Sequence, residues 1–190
     1  MFLAVALLWG YQVSALAVYG ENYTTVGLQT QQQTEWCWAA SSVAIINTWP
    51  SYSTTQTVHV QLVTHNVHNI GRTDPDVLSD FQGYYSKRNT KHKLGPLTYA
   101  EIVSRINAGK PIYSGVAWRG YIDVGHAFVV AGYRDGGALQ LKIMDPFKNP
   151  ANQYLATWRY LNYNTYVNAY PALGSSSLLG YCDGSIYDFS

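Results

Sequence analysis

Hydrophobic and polar positions change their period near the middle of the chain. Before about residue 110 the apolar residues recur at helical spacing, and beyond it they form strand-like runs. In CWAASSVAIINTW, Cys37 to Trp49, the positions Ala39, Ala40, Val43, Ala44 and Ile46 lie close to one helical stripe. Pro50 ends this helix by disfavouring helical backbone in the residue before it. Thr34 is a candidate N-cap, which sets Cys37 three positions on, inside the first turn. Thr57 to Val67 reads as a second, weaker helix. TDPDVLSDFQ offers a cap at Thr73 or Asp74 and a proline, Pro75, at the first helical position. After a polar, basic stretch, Ser86 to Lys93, expected as a surface loop, TYAEIVSRINAGKP is a fully punctuated helix. Thr98 and Glu101 form a capping box, Ile102, Val103 and Ile106 make the stripe, Gly109 stops it and Pro111 follows.

PIYSGVAW, HAFVVAGYRD and ALQLKIMDP then read as strands, the last two joined as an antiparallel hairpin by Asp135-Gly136-Gly137. Tyr154 to Tyr160 is a further candidate strand, and Tyr23 to Leu28 is short and β-prone. From Leu161 onward Tyr, Asn, Gly and Ser occur with no period, which predicts irregular surface or a covering flap. Helices first and antiparallel strands after them give an α+β fold, with two subregions meeting at an interface. No internal repeat or linker divides residues 18–190, and a chain of 190 residues is long enough to bury a sizeable core as one domain.

The first residues differ from the rest. An apolar run, Phe2 to Trp9, precedes Ala15-Leu16-Ala17, a small-x-small pattern, and predicts a secretory signal over residues 1–17 and a secreted product. Gly10, Tyr11, Gln12 and Ser14 interrupt the run well short of the roughly 20 residues a membrane span needs. The 47% hydrophobic content excludes a disordered composition. A net charge of +1 with 12% charged residues provides no basic field, so neither nucleic acid nor an anionic membrane is indicated as a partner.

Four residues carry candidate chemistry. Cys37, between Trp36 and Trp38, stands where a helix turns free N–H groups and the positive end of its dipole toward an anion. His126 begins a strand otherwise suited to burial, so its imidazole needs a partner or must stay uncharged. Asp145 ends the following strand, where the hairpin brings it back toward His126 and allows it to orient the ring. Gln31 lies six residues before the cysteine, and its amide with the Cys37 backbone N–H makes a possible oxyanion site. Each has a blander reading: a small buried thiol, a satisfied core histidine, a turn-capping carboxylate and a solvated amide. A bridge from Cys37 to Cys182, the only other cysteine, is the structural rival to a reactive thiol. His65 and His68 have helical spacing but no third ligand at a matching position, so they read as a solvated face. Neither a metal nor another cofactor is expected.

Taken together, QQQTEWCWAAS, GHAFVVAGY and IMDPF resemble the papain-like cysteine proteases. The likeness is to the compact branch that includes bacterial effector proteases and relatives of bacteriocin-processing peptidase domains. INAGKPIYSGVAW adds to it, and the likeness runs from about Gln31 to Pro146. It implies a papain-like fold, with Cys37 on a central helix of the helical part and His126 and Asp145 on the antiparallel sheet. It also implies Cys37 as nucleophile, His126 as general base and then acid, Asp145 as the orienting acid and Gln31 as oxyanion donor. Trp38 matches the aromatic that follows the nucleophile. The implied partner is a protein or peptide substrate, acted on by a monomer. The C-G-S-C-W form is missing, and nothing beyond about Tyr160 matches the pattern. Two other functions fit the same residues: an acyltransferase or amidase using the same triad, and a non-catalytic extracellular binding domain with Cys37 bridged to Cys182.

Overall fold

The computed structural model describes residues 20–121, 125–147, 156–173 and 177–190, and the expected signal segment, 1–17, lies outside them. Three helices come first after a short strand, β1 (Glu21–Tyr23): α1 (Cys37–Ile46), α2 (Gln56–Thr64) and α3 (Asp74–Gly83). Strand β2 (Lys91–Leu94) and helix α4 (Tyr99–Asn107) precede the hairpin strands β3 (Ile112–Trp118), β4 (Gly125–Asp135) and β5 (Leu139–Asp145). The chain closes with β6 (Thr157–Asn162), α5 (Tyr163–Asn168), β7 (Tyr170–Pro171) and β8 (Leu179–Tyr187). All the strands join one antiparallel sheet in the order β2-β8-β3-β4-β5-β6, with β1 added to β4 and β7 to β8. This is the α+β architecture expected from the change of period. No helix among the described residues is long and apolar enough to cross a membrane.

Because side chains alternate across a strand, β4 feeds both faces of the sheet. Ala127, Val129 and Ala131 pack toward α1, α2 and α3 with Trp38, Ile45 and Phe81. Phe128 and Val130 pack on the other face with Ile102 and Ile106 of α4 and Tyr166 of α5. Helix α1 is buried from Trp38 to Ile46, as befits a helix that is apolar nearly all round. Its small residues, Ala39, Ala40 and Ala44, lie at 0% exposure and let it sit close against the sheet.

Three expectations need correction. The basic stretch ending at Lys93 is not wholly loop, because Lys91 to Leu94 pairs with β8 as an edge strand. The C-terminal region is not a flap: β8 lies between β2 and β3, inside the sheet. The N-cap of α1 is Trp36 rather than Thr34, so Cys37 is the first helical residue. The Thr34 hydroxyl is instead engaged across the fold, accepting a 2.7 Å bond from Asn69.

Gly125, directly before His126, illustrates how tightly the sheet is built there. A Cβ at this position would overlap the carbonyl oxygen of Val116 on β3. Gly125→Ala is therefore expected to destabilise the protein by about 1–3 kcal/mol through overpacking. Urea unfolding checks this as a lower midpoint at unchanged slope.

Candidate active site

The sequence Trp-Cys-Trp places two indoles around the thiol, and both anchor the start of α1 to one loop. Trp36 Nε1 donates to the carbonyl of His68 and Trp38 Nε1 to that of Ile70, each at 2.9 Å. The Glu35 N–H donates to Asn69 Oδ1 at 2.8 Å, and the Arg72 guanidinium lies over the Trp38 ring. Segment 68–72 thus braces segment 34–38. Cys37 remains partly exposed while the nine residues after it are buried. No side chain caps the helix and its first turn holds no acid, so the N–H groups at the helix start face no competing internal anion.

His126 reaches the same place from β4. Its Nε2 is 2.8 Å from Asp145 Oδ1, and the Cys37 side chain lies close enough to the ring to act on its charge. With Nε2 held by the carboxylate, Nδ1 is the nitrogen left for the sulfur. The two side chains are 7% and 1% exposed, so water is almost excluded from the pair. Asp145 is held on both oxygens. Oδ1 also accepts the Phe147 N–H at 3.1 Å, while Oδ2 accepts Tyr170 Oη at 2.6 Å and Arg159 Nη1 at 3.0 Å. Trp118 stacks on the imidazole at 6.1 Å between centroids with planes 15° apart.

Burial alone would lower the His126 pKa, but the Asp145 charge and hydrogen bond, helped by Cys37, raise it well above the ordinary histidine value. Burial would likewise raise Asp145, yet the pull of His126 and the bonds from His126, Tyr170 and Phe147 hold it far below the usual carboxylate range. The pair is charged at neutral pH, with the extra proton on the imidazole. Tyr170→Phe removes one of the donors fixing Asp145. We expect it to lower stability by about 1–3 kcal/mol, the penalty for a buried charged acceptor left short of a donor. Thermal unfolding of the variant against wild type measures this.

Gln31 lies just ahead of the turn that leads into α1. It is buried, and its Nε2 donates to the carbonyls of Gln33 at 3.0 Å and Thr34 at 2.7 Å, which takes both amide hydrogens. Its own N–H bonds the Pro146 carbonyl at 2.9 Å, so the residue ties the turn before α1 to the end of β5. Cys37 and Cys182 are both free, and Cys182 lies buried on β8 against Tyr166. The His65–His68 pair does not share a helix, since α2 ends at Thr64 and His65 is its left-handed cap.

Sequence reasoning missed Trp118, Arg159 and Tyr170. They come from three strands, at no fixed spacing from His126 or Asp145, and only the sheet register gathers them. Cys37 and His126 open into a cleft of about 600 Å³. Cys37 and Trp38 line it from α1, Gly71 to Asp76 from the bracing loop and the start of α3, and Val116, Ala117 and His126 from the sheet.

A helix start carrying a thiol, facing an imidazole held by a buried carboxylate on an antiparallel sheet, is the arrangement of a papain-like cysteine protease. The chain belongs to the family described as papain-like cysteine protease AvrRpt2, whose model matches residues 21–163, and it is a cysteine peptidase. Among solved structures, the proform of the Amb a 11 cysteine protease, a major ragweed pollen allergen, aligns with 10% identity and a TM-score of 0.47. That alignment covers 90% of this chain and 67% of the allergen chain. No curated protein matches the sequence.

Proposed function

We propose that this peptidase is an endopeptidase that hydrolyses peptide bonds through an acyl-thioester on Cys37. The observation that carries the reading is an imidazole hydrogen-bonded to Asp145 through Nε2 and close to the Cys37 side chain, which leaves Nδ1 for the sulfur. A protonated His126 beside the sulfur stabilises a thiolate, the form that attacks. The sulfur adds to the scissile carbonyl carbon, and the π electrons move to the oxygen. The Cys37 backbone N–H, at the helix start, meets the oxyanion. Gln31 joins it as a second donor on leaving the Gln33 and Thr34 carbonyls. As the C–N bond breaks, His126 Nδ1 gives its proton to the leaving amine, and the thioester remains. Water then attacks the thioester while His126 takes its proton. Collapse releases the acid and restores thiolate and imidazolium. Asp145 stays ionised throughout and keeps the ring in place.

The substrate is a protein or peptide segment lying along the open cleft. We further propose a single domain over residues 18–190, released as a secreted protein after loss of residues 1–17. The same triad also supports acyl transfer, and product masses separate the two. Hydrolysis adds one water to the acyl product, whereas transfer leaves it joined to an acceptor amine. The decisive test is labelling with an epoxide thiol inhibitor followed by peptide mapping. We expect one label, on Cys37, with loss of peptide cleavage in step. Labelling confined to Cys182, or cleavage that survives a labelled Cys37, would refute the reading.

A further inference from the structure

Asp74 is the first residue of α3, but its carboxylate is not used in capping that helix. Thr73 and Asp76 already form the capping box. The Asp74 side chain lies instead against β3 and β8, over two glycines. A Cβ at Gly115 would come within 2.5 Å of Asp74 Oδ2, and one at Gly184 would overlap the same oxygen. Two strand positions are therefore bare where this one carboxylate rests, and Asp74 and Gly115 line the same cleft as Cys37 and His126.

The seated carboxylate has no donor. No hydrogen bond reaches it among the described residues, and the nearest basic group is His92 Nε2 at 3.9 Å. Burial lowers the His92 pKa, opposed only in part by Asp183, so that ring does not supply a cation at neutral pH. His92 Nε2 is itself buried without a partner in the same wall. Arg72, the one Arg or Lys among the described lining residues, is already paired with Asp80 at 2.6 Å. Burial and the Asp183 charge push Asp74 up to about 6, which still leaves it ionised at neutral pH. Asp74, Asp76, Asp183 and Glu35 all line the cleft, so it is acidic although the chain as a whole carries +1.

Register gives the reach. Val116 pairs with His126 across β3 and β4, and Gly115 is the next residue along β3. At about 3.3 Å per strand residue, the seat is close enough for a side chain next to the scissile bond.

We infer that Asp74 sets the side-chain preference of the cleft by accepting an arginine or lysine within two residues of the cut. The inference rests on the catalytic reading of Cys37 and His126 and adds the substrate class to it. A guanidinium or ammonium would supply the missing charge-assisted donor at Asp74. An apolar or acidic side chain would leave the carboxylate desolvated and unpaired, which is how a polar site rejects a poor substrate.

The test is a set of peptides carrying Arg, Lys, Gln, Leu or Glu at each of the two positions on either side of the cut, read as kcat/KM. Iodoacetamide alkylation of Cys37 is read alongside. At one position we expect Arg or Lys to be favoured over Gln and Leu by about tenfold or more, with Glu poorest. Asp74→Asn should bring that ratio to within about twofold, chiefly through KM. Asp74→Ser, smaller than the seat, should do the same and covers misfolding of the first variant. Equal cleavage of the Arg, Gln and Leu peptides, or a basic preference kept in both variants, overturns the inference alone. Absence of any cleavage overturns the catalytic reading and this inference with it, and the alkylation rate then shows whether the thiol itself was unreactive.

Discussion

Cys37→Ala should reduce peptide hydrolysis by about 10⁴-fold or more, the scale on which loss of a covalent nucleophile acts. No other group stands in for it. Cys182, the second free thiol, is 3% exposed, and its pKa is raised because burial outweighs its bonds to Tyr166, Ser114 and Ser185. It neither meets substrate nor forms a thiolate readily. The substitution removes one partly exposed sulfur, while Trp36 and Trp38 keep their anchors on the 68–70 loop. The fold should therefore persist, with a melting temperature close to wild type. The measurement pairs kcat/KM on one peptide with thermal unfolding of the same sample. Activity above about one part in a hundred of wild type, in a folded variant, would take the nucleophile role away from Cys37.

The parts of this site visible in the sequence are those that depend on local order. Cys37 before an apolar run, His126 opening a strand and Asp145 closing the next follow from helix and hairpin periodicity, and β4 and β5 bring the last two together. What could not be read depends on which partner, near or distant, takes a polar side chain. Thr34 has the chemistry of an N-cap, but Asn69 takes its hydroxyl. Gln31 has the chemistry of an oxyanion donor, but two nearby carbonyls take its amide. β8 escaped notice because its buried positions are Gly180, Cys182, Gly184, Ser185 and Ile186, and with only the last a large apolar residue they leave no hydrophobic alternation. The glycines have a steric reason: a Cβ at Gly180 would overlap the Val116 side chain, and one at Gly184 the Asp74 carboxylate. β2 reads as loop because an edge strand carries charge, here Lys91 and Lys93. Close packing and edge protection both erase the pattern by which strands are recognised.

Asp145→Ala should lower both turnover and stability, and its pH dependence identifies the cause. The variant leaves His126 without its orienting acceptor and the buried Tyr170 hydroxyl and Arg159 guanidinium facing an empty site. Removing one partner of a buried ion pair costs about 3–5 kcal/mol, and a misplaced general base lowers kcat/KM by about 10²–10⁴. The folded pKa of His126 is raised above 6.5, so its contribution is complete below that value and is lost as pH rises through the folded pKa. The folded pKa of Asp145 is depressed below 3.8, so its contribution is complete above that value and is lost as pH falls through the folded pKa. The stability gap between wild type and Asp145→Ala should accordingly be widest between pH 3.8 and 6.5 and narrow in alkali. Urea unfolding at about pH 5.5 and at about pH 10 measures both ends. Asp145→Asn keeps an acceptor for the ring but not the charge. It should retain more turnover than the alanine variant while the alkaline limb of its pH–rate profile moves to lower pH. A gap of equal size at both pH values, with an unmoved alkaline limb in Asp145→Asn, would mean that Asp145 holds His126 by shape alone.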